Sequence, residues 1–263
     1  MPKNARNTAK RLWALDAPTM DMDAGELVVG AEGKVTIPLP AFLIEHDQGL
    51  IMFDTSFAPI LNEDPYAYFG DLVDVYNVQS HPGQRIDRQI ASLGFRPEDI
   101  THVILSHTHS DHSGGLYLFP QAKFYIGPGE YDFAADPPAD SAQFYRFADD
   151  LEPVKNFDWT TLYAPQTDLF GDGAVTIMHT PGHSPGELSL IVELPSQRLV
   201  LTGDTVHLRE GLDKCQPDPF DWDHDQARAS IEKLRRLEEG GARLWIAHDM
   251  EDWKHFGALV PQE

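Results

Sequence analysis

The order of elements predicts an α/β chain in which two mixed β-sheets pack together with helices on the outside. Three observations carry this. Apolar runs come first as a hairpin-like pair, at residues 35–45 and 49–54. They then alternate with helix-patterned stretches through both halves. Four of the later runs end in His or Asp, the place where open α/β sheets keep their chemistry.

The bulk properties agree. A length of 263 residues with 41% apolar and 10% aromatic content supports a sizeable core, and the chain reads as a single domain over residues 1–263. No apolar run approaches a membrane span. Residues 1–10 are basic and polar without an apolar stretch behind them, so no secretion signal is visible. The lone Cys215 excludes a disulfide framework and a cysteine zinc site, and the two observations together point to the cytoplasm. A formal net charge of −22 repels phosphate backbones and argues against nucleic acid as a partner. Neutral or cationic small substrates stay open.

Taken in order, residues 35–39 and 41–45 read as strand interrupted by Pro38 and Pro40, and 49–54 as the next strand after a turn at Asp47-Gln48-Gly49. Residues 84–93 form an amphipathic helix, with Ile86, Ile90 and Leu93 on one face and Gly94 as its stop. Residues 101–106 are a strand, 122–126 another, and 129–135 a helix. From 136 to 166 the pattern degrades into prolines, acids and scattered aromatics, among them Phe144 and Phe147. That stretch reads either as a lid over a substrate or as a peripheral insert whose aromatics pack on the core. Strands return at 175–179, 187–193 and 198–202. Residues 225–237 are a helix with Ala227, Ile231, Leu234 and Leu237 on one face, stopped by Gly240-Gly241, and 243–247 is the last strand.

The densest chemistry is His107-Thr108-His109-Ser110-Asp111-His112, directly after the 101–106 strand. Turns are usually built from Gly, Asn, Asp and Ser, so three imidazoles and a carboxylate in one turn point to a metal. Three more segments share the pattern of a strand followed by a ligand type: His183 after Thr180-Pro181-Gly182, Asp204 after Thr202-Gly203, and His248 after Ala247. Each alone is an ordinary loop residue or cap. Together they are a ligand set.

That set resembles the metallo-β-lactamase superfamily of hydrolases, from about Val35 to the end of the chain. The resemblance implies an αββα sandwich with a dinuclear site at one edge of the sheets. It implies one metal held by His107, His109 and His183, a second by Asp111, His112 and His248, and Asp204 bridging them together with a hydroxide. Two Zn²⁺ per chain are expected, with Mn²⁺, Fe²⁺ or Co²⁺ fitting the same His/Asp set. Such a centre brings a shared water toward a pKa of roughly 7. Asp111 and Asp204 are the candidate catalytic carboxylates, Asp204 orienting the nucleophile and passing its proton on. Asp54, at a strand end, is a candidate partner behind a ligand imidazole; a turn-forming role is the alternative.

Within the superfamily, Asp204 stands where zinc β-lactamases carry Cys or Ser, and His109 where flavodiiron members carry an acid. The acidic charge disfavours the nucleic-acid-processing branches, and no basic cluster for glutathione follows Asp204. The size, Pro181-Gly182-His183-Ser184-Pro185-Gly186, His248-Asp249-Met250-Glu251, the Pro38-Leu39-Pro40 run and the Asp54-Thr55 turn are most similar to the N-acyl-homoserine lactonases, which silence quorum signals by opening the lactone ring. The expected partner is then a small lactone or ester, with no nucleic acid and no membrane, and a homodimer open. Pyridoxolactonase-like, esterase and organophosphate hydrolase activities are the alternatives, and a non-catalytic binder is a third class. Two residues depart from the lactonases: His207 stands where they carry a substrate-contacting Tyr, and Ser110 where some carry an aromatic. An imidazole N–H can donate the same hydrogen bond, which makes His207 a candidate catalytic residue. Met20, Met22, Ser110, Phe144 and Phe147 are the candidate substrate contacts.

Overall fold

A computed structural model describes residues 8–263 of the chain. Most of the basic stretch at residues 1–10, and the reading that it is no secretion signal, lies outside the described residues.

The strands run in chain order as β1 (Arg11–Ala14), β2 (Thr19–Asp23), β3 (Lys34–Pro38), β4 (Phe42–His46), β5 (Gly49–Phe53), β6 (Ile100–Ile104), β7 (Lys123–Ile126), β8 (Asp158–Thr161), β9 (Gln166–Asp168), β10 (Val175–His179), β11 (Leu188–Glu193), β12 (Arg198–Leu201) and β13 (Arg243–Trp245). Six of them form one sheet in the order β1-β4-β5-β6-β7-β8, and five form a second in the order β13-β12-β11-β10-β9. Both are mixed. β1, β4 and β5 pair antiparallel, whereas β5 to β8 are parallel. In the second sheet only β12 and β13 are parallel. β2 and β3 make a separate ribbon.

The sheets pack face to face because alternate residues of each are apolar on the shared side. Phe42, Ile44, Ile51, Phe53 and Ile104 of the first meet Ile177, Leu190, Val192, Leu201 and Trp245 of the second in one buried cluster. Trp245 is fully buried and stands edge-on to Phe42 at 5.0 Å. The outer faces are covered by helices. On the second sheet lies His224–Glu239, which starts where the Asp223 carboxylate accepts from the amides of Asp225 and Gln226 and buries Ala227, Ile231 and Leu234. On the first lies Ile86–Ser92, burying Ile86 and Ile90.

The 136–166 excursion divides, which corrects the reading of it as one insert. Its first part, 136–147, stays out of both sheets. From Leu151 the chain rejoins the core: Leu151 and Val154 are buried, and β8 pairs in parallel with β7, with Trp159 against Phe124 at 4.9 Å. The Asp158-Trp159-Thr160-Thr161 strand is too short to show alternation against its proline-rich surroundings. Within the junction, Asp150 is 2% exposed and accepts from the Tyr68 hydroxyl at 2.7 Å, while the Arg146 guanidinium sits 4.6 Å from the centre of the Tyr68 ring.

Strand direction sets the position of the chemistry. β10, β12 and β13 all run the same way, as do β5 and β6 in the facing sheet. Their carboxyl ends, and the loops leaving them, meet at one edge of the sandwich.

Candidate metal centre

Each strand end delivers one part of a buried cluster. The loop after β6 carries His107, His109, Asp111 and His112, the last two on the helical turn Ser110–Ser113. It is tied to the loop after β5: Asp54 Oδ1 accepts from the Ser106 amide at 2.7 Å, and the Thr55 hydroxyl donates to the His112 carbonyl at 2.8 Å. Asp54 holds this place with φ at +59°, a left-handed conformation that Asp tolerates better than most residues. His183 follows β10 through a turn pressed against helix His224–Glu239. Gly182 there has φ of +145°, and a Cβ on it would come within 2.2 Å of Ala227 backbone, so only glycine fits. Asp204 follows β12, and His248 follows β13.

The seven residues converge in two groups that share one carboxylate. Potential ligand atoms of His107, His109, His183 and Asp204 lie within 4.8 Å of one another, and so do those of Asp111, His112 and His248. Asp204 faces both. Its Oδ2 is 3.7 Å from His107 Nε2 and 3.8 Å from His183 Nε2, its Oδ1 is 3.3 Å from His112 Nε2, and His248 Nε2 lies 3.1 Å from both oxygens. His109 Nδ1 stands 3.2 Å from His183 Nε2. Two imidazole nitrogens bound to one tetrahedral Zn²⁺ at about 2.0–2.1 Å would be separated by about 3.3 Å. The rings are buried, His107 completely, and Nε2 of His107 and His112 has no hydrogen-bond partner, nor has Asp204 Oδ1. Buried polar atoms without partners are costly. A divalent cation in each group would satisfy them, so the residues present fit a dinuclear centre.

The imidazoles are held from behind. His112 Nδ1 lies 2.9 Å from Asp54 Oδ2, His183 Nδ1 3.2 Å from Asp221 Oδ1, and His248 Nδ1 2.7 Å from the Pro38 carbonyl. With Nδ1 as the donor in each, Nε2 is left with its lone pair toward the centre. Burial, reinforced by neighbouring imidazoles, holds His107 and His109 well below the usual histidine range, in the neutral form that binds metals. Burial also opposes charge on His112, but Asp204, Asp111 and Asp54 outweigh it and raise its pKa well above that range. Cation binding at Nε2 therefore competes with a proton there. Burial opposes ionisation of Asp111 too, yet His112 and His248 bring it down to about 2, so it is a carboxylate across the ordinary pH range.

His207 belongs to the same cluster. Its Nε2 is 3.1 Å from Asp204 Oδ2, its ring stacks on His248 at 5.3 Å, and its Nδ1 pairs with the Asp218 carboxylate. It lies on the wall of a cavity of about 240 Å³ whose floor is His109, Asp111, His183, Asp204 and His248. Met20, Met22, Leu27, Ile37, Phe133, Phe144, Tyr145, Phe220 and Trp222 line it together with the carboxylates of Glu26, Asp140, Asp218 and Asp221, and among the described residues no Lys or Arg does. Of the expected contacts, Met20, Met22 and Phe144 line the cavity. Ser110 and Phe147 do not: Ser110, the first residue of the ligand turn, is buried, and Phe147 turns away to pack edge-on against Tyr131 at 5.1 Å.

Residues 218–222 went unread from sequence, although Asp-Pro-Phe-Asp-Trp sets two acids among two aromatics just before a helix. Asp218 and Asp221 hold His207 and His183, and Phe220 and Trp222 line the cavity. Glu187 and Glu130, both buried beneath the centre, were also missed.

Comparison with known proteins agrees with this architecture. A family model described as the metallo-beta-lactamase superfamily matches residues 38–240. The N-acyl homoserine lactonase AttM of Rhizobium radiobacter is 33% identical over 254 residues, 94% of this chain and 95% of that one. A crystal structure of an N-acyl homoserine lactone hydrolase with N-hexanoyl-L-homoserine at its catalytic metal centre superposes with a TM-score of 0.80 at 23% identity, covering 96% of this chain and 98% of that one. AidC, a dizinc quorum-quenching lactonase, superposes at 0.66 with 18% identity, covering 92% and 91%. At such identities these two structures speak to the fold alone.

Proposed function

The chain belongs to the metallo-beta-lactamase superfamily, and from that premise we propose that it is a dinuclear metal-dependent lactonase that opens the ring of N-acyl homoserine lactones. The observation that carries the proposal is Asp204, whose carboxylate lies between two ligand groups on the floor of a cavity walled by apolar and acidic side chains. The name of the 33% identical relative supports the substrate. Zinc is the proposed metal, held by His107, His109 and His183 in one position and by Asp111, His112 and His248 in the other, with Asp204 between. When bound, the pair would supply Lewis acidity and a water acidified toward a pKa of about 7.

The rest is the work of the chain. The apolar lining of Met20, Met22, Leu27, Ile37, Phe144, Tyr145, Phe220 and Trp222 buries an acyl tail and excludes water. A lining with several carboxylates and, among the described residues, no Lys or Arg disfavours a carboxylate or phosphate substrate and suits an uncharged one. Asp204 takes a proton from the attacking water. The ring C–O bond breaks as the new C–O bond forms, and the proton passes to the departing alkoxide. Burial opposes charge on His207, but Asp204 and Asp218 outweigh it and raise its pKa well above the usual histidine range, so both ring nitrogens carry hydrogens. Nδ1–H is held by Asp218, and Nε2–H, beside Asp204 Oδ2 at the cavity wall, donates to the substrate carbonyl oxygen as charge builds on it. Asp54, behind His112, acts as a positioning residue. The lone cysteine fits a reducing compartment, and the cytoplasm is the proposed location.

A second reading keeps the centre and changes the substrate to another lactone, an aryl ester or a phosphotriester. It is favoured by His207, an imidazole where the lactonases carry a phenol. One experiment separates them. Purified protein is expected to hold about two metals per chain by elemental analysis, and to release acid from short- and long-chain acyl-homoserine lactones, followed with a pH indicator. No turnover across that series refutes the substrate, and a panel of aryl esters, phosphotriesters and β-lactams then identifies the alternative.

A further inference from the structure

Glu187 is completely buried one residue before β11, and the ring-opening chemistry gives it no part. Its carboxyl reaches two ligand-bearing segments from opposite sheets. Oε1 accepts from the backbone N–H of Asp204 at 3.0 Å, and Oε2 lies 3.3 Å from Nδ1 of His107. His107 follows β6 of the first sheet and Asp204 follows β12 of the second. One side chain therefore spans the seam of the sandwich and touches a ligand on each side. The approach leaves no spare room. Gly203 has φ of +56°, and a Cβ on it would come within 2.3 Å of Glu187 Oε1.

Of the imidazoles that present Nε2 to the centre, His112, His183 and His248 each have Nδ1 held by an acceptor already described. His107 has two neighbours at Nδ1: the Ser106 hydroxyl, hydrogen-bonded at 3.0 Å, and Glu187 Oε2, in charge contact at 3.3 Å and also accepting from the Ser184 hydroxyl at 3.5 Å. A serine hydroxyl rotates and serves as donor or acceptor, so it suits either tautomer of the ring. Oε2 does not rotate freely, because the Asp204 amide grips Oε1 of the same group. A carboxylate held 3.3 Å from Nδ1 favours the Nδ1–H tautomer and leaves Nε2, the atom without a hydrogen-bond partner, to take a cation.

We propose that Glu187 is the positioning residue that locks His107 and Asp204 to one another, and so sets the metal affinity of the position they share with His109 and His183. The inference rests on the metal reading of the site and not on the lactone. Glu187→Gln tests it. The amide keeps the size of the carboxyl. With its oxygen still on the Asp204 N–H, it turns an NH2 donor toward the Nδ1–H it must accept.

The measurement is zinc affinity of the full-length protein by chelator competition, with thermal melts of the metal-free proteins and with Ser106→Ala alongside. The expected result is a roughly 10–100-fold loss of zinc affinity in E187Q, unchanged affinity in S106A, and unchanged melting of metal-free E187Q. Wild-type zinc affinity in E187Q overturns the inference, most plainly if its metal-free melting temperature falls, which marks a merely structural carboxyl. A loss in S106A of the size expected for E187Q assigns the lock to Ser106 and overturns it too. That arm decides the matter if E187Q does not fold. Absence of zinc binding by the wild type refutes the metal reading itself, a separate outcome from either.

Discussion

Asp150 gives the chain a pH-dependent stability that one substitution removes. Its carboxyl is buried where the excursion rejoins the core, with one oxygen on the Tyr68 hydroxyl and the other without a partner. Burial pushes its pKa up to about 7 from 3.8, against the pull of Tyr68 and Arg146. Below about pH 4 the carboxyl is protonated whether the chain is folded or not. Between the two values the native state keeps its proton and the unfolded chain gives it up, so stability falls as pH rises, and above about 7 the loss is complete. A shift of about three units at 1.36 kcal/mol each sets the full effect at about 4 kcal/mol. Asp150→Asn keeps an oxygen for Tyr68 and cannot ionise. Urea unfolding of both proteins from pH 4 to 8 is expected to show the variant gaining on the wild type by up to that amount, the gain building between about pH 4 and 7 and staying constant above. Parallel stability curves across the window would refute the reasoning.

Three further outcomes follow from the centre and its supports. Gly182→Ala places a methyl against the Ala227 backbone at a φ that alanine avoids, so a loss of about 1–3 kcal/mol is expected in a thermal melt, with lower metal content as His183 shifts. His207→Ala is expected to retain its metals and lose about 10²–10³-fold in kcat; steady-state kinetics beside elemental analysis checks this, and wild-type rates reduce His207 to a bystander. Stripping the metals with a chelator is expected to lower the melting temperature, since ligand at 100 times its Kd stabilises by about 2.7 kcal/mol; equal melts with and without chelator would count against occupancy of the buried groups.

Most of the central strands and the His and Asp residues that gather at the candidate centre were legible because each rests on a short-range pattern, whereas β1, β2 and β9 were not read. A run such as Leu199-Val200-Leu201-Thr202-Gly203-Asp204 contains both its strand and its strand-end residue. Helix His224–Glu239 declared itself through Ala227, Ile231 and Leu234. What was not legible depends on long-range partners. β8 becomes a strand because β7 lies beside it, and nothing within Asp158–Thr161 says so. Phe144 and Phe147 are three residues apart in one aromatic-rich segment, yet the irregular turn between them sends one into the cavity and the other onto Tyr131. Asp218, Asp221 and Glu187 read as ordinary loop acids until the fold sets them behind His207, His183 and His107.

The division of the ligands between the sheets also orders the life of the chain. Four of the seven residues are made by position 112, whereas His183, Asp204 and His248 come later and from the other layer. During synthesis a nascent chain carries three imidazoles and a carboxylate on one turn well before the second layer exists to complete the set. Such a partial claw has no enforced geometry and follows the intrinsic affinity series, in which copper outranks zinc. With the proposed zinc centre, correct metallation would wait on the closing of the two layers, and cells that flood the unfinished chain with copper would be expected to accumulate protein that folds around the wrong ion.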